Sequence, residues 1–336
     1  MNRIKRFFLW LVLLAFVAMA GLSAAFWYWS IKPVQLSAER IDFQVELGTR
    51  PRTVAVAMQK AGIAMNADAF VALARLTGRD TLIKAGAYEA VRGDTPAMLL
   101  ERMANGDMTQ TSQILVEGWT YQRIRQVLRE NTHIKQTLGD VSDAQLLERL
   151  GSSETSPEGL FYPDTYVFVP GTSDFDILRR AYQAQQKLLA ALWEQREPGL
   201  PIATPYQALI LASIIEKETG HSADRERVAG VFVNRLRLGM PLQTDPTVIY
   251  GMGDAYQGRI RKKDLTTDTP WNTYMRGGLP PTPIASSGKA ALYAALHPEQ
   301  HKFLYFVSRG DGTSEFSENL GSHNRAVSKY ILGQGR

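Results

Sequence analysis

The 336-residue chain contains no cysteine. Disulfides, thiolate metal ligands and a cysteine nucleophile are thereby excluded. This usage is compatible with an oxidising compartment without requiring one. Histidine is sparse, with five in all. His297 and His301 are four apart, but Pro298 lies between them and no acid-rich partner motif follows, so no metal site is expected. The chain also lacks a phosphate loop and a nucleophile elbow, which leaves phosphate-loop chemistry and Ser-His-Asp hydrolysis without support. It shows no internal repeat and no low-complexity segment. No cofactor is expected.

Acidic residues are missing from the first 32 positions, which hold Arg3, Lys5, Arg6 and Lys32. The whole chain has 38 basic and 33 acidic residues, so the remainder is close to neutral at 34 against 33. The basic excess is a local cluster and no nucleic-acid surface is indicated. Hydrophobic content of 45% and charge of 21% are those of a folded protein, and the length allows two or three domains.

Long apolar runs are absent with one exception. Residues 7–31, FFLWLVLLAFVAMAGLSAAFWYWSI, carry no charge for 25 positions. As a helix they would extend about 37 Å, enough to cross a bilayer with some tilt. The cations before them predict a cytoplasmic amino terminus, residues 1–6, and Trp27, Tyr28 and Trp29 suit the opposite interface. A cleaved signal peptide is the competing reading, because AMA at 18–20 resembles a cleavage site. The run continues past that point, which favours an uncleaved anchor with the body outside the cytoplasm.

Beyond the anchor, residues 41–48 alternate as a strand, 53–62 and 66–78 have helical spacing, and 82–90 read as a second strand. Together they predict a β-α-α-β unit. Asn66 and Thr95 are placed as helix N-caps, with Pro96 in the first turn of the second case. Further on, the pattern predicts a strand over 111–118 and helices over 174–197, 204–220, 223–239 and 322–332. Residues 151–158 read as loop. An apolar strand, Gly-Asp-Gly and a second strand predict a hairpin near 302–317. The class is α+β, with one transmembrane helix and a mixed α/β domain after the β-α-α-β unit.

LASIIEKETG, residues 211–220, passes from apolar to charged within ten positions. Residues two apart on a helix point about 160° apart, so Glu216 and Glu218 cannot face one cleft as a pair. Glu218 stacks over Ile214, Ile215 and Leu211, whereas Glu216 stacks over Ala212 and Ser213. Apolar neighbours raise a carboxyl pKa, the condition a general acid needs. A solvated helix end explains the same residues more plainly when they are taken alone.

LQTDPTVIYG, residues 242–251, follows a helix end. Asp245 as N-cap and Pro246 at the first helical position account for DPT, but capping leaves Gln243 and Thr244 unexplained. Asn272 and Tyr274, in WNTY, could hydrogen-bond and stack on a sugar, or serve only the loop. FSENLGSHN, residues 316–324, adds Asn319, His323 and Asn324.

ASIIEKET, VFVNRLRLGMPLQTDPTVIYGMG, NTY, GLPPTPIA and the terminal NL..HN together resemble the endolytic murein transglycosylase, or YceG-like, family. The resemblance runs through nearly the whole chain. One departure is Trp271, where the family pattern would place tyrosine. The resemblance implies a LysM-like module within residues 32–115 and a catalytic transglycosylase domain over 116–336. It implies a single-pass inner-membrane protein facing the periplasm. Glu218 would be catalytic, with Gln243, Thr244, Asp245, Asn272 and Tyr274 expected to position substrate. The implied reaction cleaves the bond between N-acetylmuramic acid and N-acetylglucosamine in nascent glycan strands and leaves 1,6-anhydro ends. Proximity to peptidoglycan synthases is expected. A muramidase using Asp245 or Glu216 as second carboxylate, and a non-enzymatic wall-binding scaffold, are the alternatives.

Overall fold

The computed structural model describes residues 3–46 and 48–333. Leu47, inside the strand anticipated over 41–48, lies outside the described residues, as does the extreme amino terminus. The described residues form a mixed α+β protein in two compact units.

The first unit comprises Met1–Thr111 with Val167–Gly171. It begins with α1 (Arg3–Ile31), whose Phe7–Ile31 segment is long and apolar enough to cross a membrane. Then follow β1 (Arg40–Val45), α2 (Pro51–Ala61), α3 (Ala67–Leu76), β2 (Gly86–Val91) and α4 (Pro96–Asn105). The β-α-α-β order matches the periodicity. β1 and β2 pair antiparallel, with Phe43 opposite Tyr88. Ile41, Phe43 and Val45 alternate inward, as a strand with one covered face requires. They meet Met58 from α2, Phe70 from α3, and Leu99 and Met103 from α4. Asn66 and Thr95 accept the backbone N–H groups of Ala69 and Met98, at 3.0 and 3.2 Å, which fixes the starts of α3 and α4. Phe26 and Trp29, near the end of α1, also pack against this core.

The second unit comprises Ser112–Tyr166 with Thr172–Arg336. The chain passes between the units within β3 (Thr111–Ile114) and again within β4 (Thr165–Phe168); α5 (Tyr121–Glu130) and α6 (Asp143–Leu150) lie between these strands. α7 (Asp174–Glu194), α8 (Pro205–Glu218), α9 (Arg225–Arg237), α10 (Asp245–Met252), α11 (Lys262–Thr266) and α12 (Lys289–Leu296) follow. The hairpin of β5 (Tyr305–Ser308) and β6 (Ser314–Ser317) precedes α13 (Leu320–Tyr330). α8 is the central helix: every residue from Ala208 to Ile215 is buried, and α7, α9, α10 and α12 pack around it. A helix apolar on all sides is a core helix. Ser213, buried in that run, donates to the Ile210 carbonyl at 2.8 Å and accepts the Ile284 N–H at 3.0 Å. One hydroxyl thus ties the GLPPTPIA loop to α8.

Several boundaries differ from the sequence expectation. The strand anticipated over 111–118 stops at Ile114, and α7 ends at Glu194, short of the Pro198-Gly199 stop. Asp245 is not the N-cap of α10. Thr244 occupies that position without making a side-chain cap, and Asp245 is the first helical residue. The Thr244 hydroxyl is engaged elsewhere, by Glu218.

Candidate active site

The opening of the site begins where α8 leaves the core. Thr204 caps its start by accepting the Gln207 N–H at 3.2 Å, and the buried run then extends to Ile215. The next residues alternate: Glu216 is half-buried, Lys217 exposed and Glu218 half-buried. At 100° per residue the two carboxyls diverge, and they find different surroundings. Glu216 accepts the Gly288 N–H at 3.0 Å, immediately before α12. A Cβ on Gly288 would overlap the Glu117 carboxylate, so this corner is closely packed. Burial pushes the Glu216 carboxyl above its ordinary value, a push the Gly288 N–H offsets in part. Glu216 is a fastening between α8 and α12.

Glu218 faces a cleft of about 370 Å³, within the size range of small-ligand sites. Its carboxyl accepts a short hydrogen bond from the Thr244 hydroxyl. That hydroxyl is held by a threonine cluster. The Thr244 N–H donates to Thr273 Oγ1 at 3.1 Å, while Thr247 Oγ1 donates to the Thr244 carbonyl at 2.7 Å and lies 2.8 Å from Thr273 Oγ1. Burial raises the Glu218 pKa; the Thr244 bond opposes that, nearby Asp245 adds to it, and Arg235 opposes it. The net shift is upward, towards the protonated form.

Asp245 and Tyr274 meet in the same cleft, where the Tyr274 hydroxyl donates to Asp245 Oδ1 at 2.7 Å. Burial and the Asp245 carboxylate both push the Tyr274 hydroxyl up, so it remains a donor at any physiological pH. Gln243 lines the cleft with a backbone φ of 48°. Non-glycine residues seldom adopt that region, and it is held here by the Gln243 N–H bonding to the Thr273 carbonyl at 3.1 Å.

Asn272 is a correction. Its side chain is fully buried and does not line the cleft. Its amide donates to the carbonyls of Asp264, Leu265 and Thr267 at 3.2, 3.1 and 2.7 Å, and its Oδ1 accepts the Tyr274 N–H at 2.9 Å. The residue expected to bind sugar therefore closes the loop that presents Tyr274. Thr244 is likewise buried and reaches the cleft through Glu218.

The opposite wall was not anticipated. Arg235 of α9 is buried and donates to the carbonyls of Leu304 and Leu242 at 2.7 and 2.6 Å, with its guanidinium 5.2 Å from the centre of the Tyr305 ring. Tyr305 stacks on His323 at 5.2 Å between centroids. Burial, and next the Arg235 cation, hold the His323 imidazole below its ordinary pKa, in the neutral form. The available signal was periodicity: Arg235 follows Val228, Val231 and Phe232 on the buried face of α9. His323 stood in FSENLGSHN without an assigned role. Among the described residues no three His, Asp or Glu side chains gather as a metal site would require.

A helix-end carboxyl with its pKa raised, beside a polar, aromatic cleft, is a general acid/base arrangement. Comparison with known proteins gives it a family. The YceG-like family model matches residues 43–329, and the chain belongs to that family. The chain is 30% identical to the endolytic murein transglycosylase of Bacillus subtilis, over 90% of this chain and 88% of that protein. It is 25% identical to the Streptococcus pneumoniae protein of the same name, over 95% of this chain and 64% of the longer relative. The crystal structure of a YceG-like protein from Listeria monocytogenes superposes with a TM-score of 0.55 at 30% identity, covering 85% of this chain and 98% of that one.

Proposed function

We infer that the chain is an endolytic murein transglycosylase with Glu218 as its acid and base. One observation carries the reading: the raised carboxyl of Glu218 opens into a cleft where a single hydroxyl, from Thr244, is its hydrogen-bond donor among the described residues. Protonated Glu218 gives its proton to the glycosidic oxygen between N-acetylmuramic acid and N-acetylglucosamine, and that bond breaks. Positive charge builds at the muramyl C1. The muramyl O6 attacks C1 as Glu218, now a carboxylate, takes the O6 proton. The products are a 1,6-anhydro end and a free N-acetylglucosamine end, and no water is consumed. Arg235 stabilises the carboxylate between the two proton transfers. Tyr274, fixed by Asn272, and Gln243 position the sugar, while Thr244 orients Glu218.

Asp245 supports a second reading, since it lies in the same cleft. As a carboxylate it could serve a muramidase that hydrolyses the same bond. Mass spectrometry of digested glycan separates the two. Anhydro ends support the transglycosylase, and reducing muramic acid ends overturn it.

In this reading residues 32–115 contain a LysM-like, wall-facing module, residues 116–336 are catalytic, and residues 1–6 are cytoplasmic. α1 remains as an inner-membrane anchor, with the body in the periplasm near peptidoglycan synthases. The packing of Phe26 and Trp29 into the first unit supports retention of the end of α1. Full-length mass in the membrane fraction supports the anchor; a product starting near Gly21 overturns it.

A further inference from the structure

A second cavity, of about 680 Å³, lies at residues the mechanism does not use. Its walls include Tyr121, Tyr250, Tyr256 and Trp271, with Glu158 at its base. The aromatic rings are set firmly. Tyr250 and Trp271 pack edge to face at 5.4 Å, and Trp271 Nε1 donates to Thr282 Oγ1 at 2.9 Å. Tyr121 stacks on Phe161 at 5.5 Å. Glu158, 4% exposed, joins two of these walls: its carboxylate accepts the Tyr121 N–H at 3.0 and 3.1 Å and the Tyr250 hydroxyl at 3.2 Å. Tyr121, Tyr250, Tyr256 and Trp271 are each half-buried and line the cavity, so part of each side chain stays accessible.

The cavity adjoins the Glu218 cleft along one helix. Asp245 lines the cleft and Ile249 lines the second cavity. Being four apart on α10, they share a face one turn from each other, about 5–6 Å. Asp245 is exposed and Ile249 half-buried, whereas Thr247 and Val248 turn to the core, so the 245/249 face is the more outward one. The loop after α11 repeats the arrangement, with Trp271 at the second cavity and Tyr274 at the cleft. One turn of helix is close to the length of one sugar unit in an extended chain.

We propose that the Tyr250–Trp271–Tyr256 cavity is a second saccharide subsite that holds the strand beyond the scissile bond, laid along the outer face of α10. This rests on the transglycosylase reading of the Glu218 cleft. Aromatic faces suit the apolar C–H faces of pyranose rings, and the exposed Gln122 and Asp254 side chains at the rim suit their hydroxyl and amide groups. Glu158 is a positioning residue that fixes the aromatic walls and does not touch the sugar.

The test is binding of uncross-linked murein glycan strands to the full-length Glu218→Gln protein in detergent, which separates affinity from turnover. Trp271→Ala and, separately, Tyr256→Ala are added to that background. Each is expected to weaken binding of strands about tenfold, while a disaccharide that fills only the cleft binds as it does to Glu218→Gln alone. Unchanged strand affinity in both variants, while the parent chain cleaves glycan, overturns the subsite and leaves the active-site reading standing. Failure of the parent chain to cleave glycan at all overturns both. Tyr256, half-buried and away from the Trp271–Thr282 bond, covers the case in which Trp271→Ala disturbs the loop.

Discussion

Glu218 and Glu158 are both enclosed carboxyls raised by burial, yet their surroundings differ. Glu158 is gripped by backbone and phenolic donors from two helices, and still has its pKa lifted to about 7. Glu218 has one hydroxyl donor and an open side. Donors on fixed elements make a carboxylate a joint, because moving its proton disturbs the elements it joins. A carboxyl with one small donor and a free face can exchange its proton with a ligand. Glu216, two residues before Glu218, falls with Glu158: its partner is a helix-start N–H.

The largest expected effect is on Glu218. Glu218→Gln should lower kcat for glycan cleavage by about 10³-fold, within the usual range for loss of a general acid, with little change in Tm. Full cleavage by this variant would erase the distinction from Glu158. Glu158 should show its effect in stability. Its folded pKa lies above the ordinary 4.5, so the folded state binds the extra proton between those values. Its contribution is complete below pH 4.5 and is lost as pH rises through 7, at most about 3 kcal/mol. Urea unfolding at pH 5 and pH 8 should show this slope in the parent, and Glu158→Gln should flatten it. Tyr274→Phe leaves Asp245 without the donor at 2.7 Å and should lower kcat/KM about tenfold, equivalent to about 1.4 kcal/mol. Steady-state kinetics on one glycan preparation measure it. The smallest effect belongs to Glu216→Ala. It should cost about 1 kcal/mol in urea unfolding through the lost Gly288 bond, and leave kcat within a few-fold of the parent.

Much of the fold was legible because its signals are local. The β-α-α-β order, the caps at Asn66 and Thr95, the α8 run and the Gly-Asp-Gly hairpin each follow from periodicity or from one side chain bonding three residues on. α12 was missed: KAALYAAL is a short stretch after a glycine- and proline-rich region, with Ala291, Leu292, Ala294, Ala295 and Leu296 buried, and its amphipathic period is weak. At the site, the apolar stripe beneath Glu218 was visible within one helix. The wall opposite was not, since Arg235, Tyr305 and His323 come from α9, β5 and α13 and meet only in three dimensions. Asn272 shows the converse limit. An amide in a polar loop reads as available for ligand until the loop closes and its own carbonyls take every donor. Glu158 stood in a segment that read as loop, with nothing nearby in sequence to announce its partners 37 and 92 residues away.

The central claim is that Glu218 keeps its proton into the range where it can act as an acid. Carbon-13 titration of its side-chain carboxyl in the intact protein, assigned by comparison with Glu218→Gln, reads that directly. The account predicts a midpoint above the ordinary glutamate value, matching the alkaline fall of kcat/KM for glycan cleavage. Titration at or below the ordinary value, with cleavage undiminished at higher pH, would contradict it.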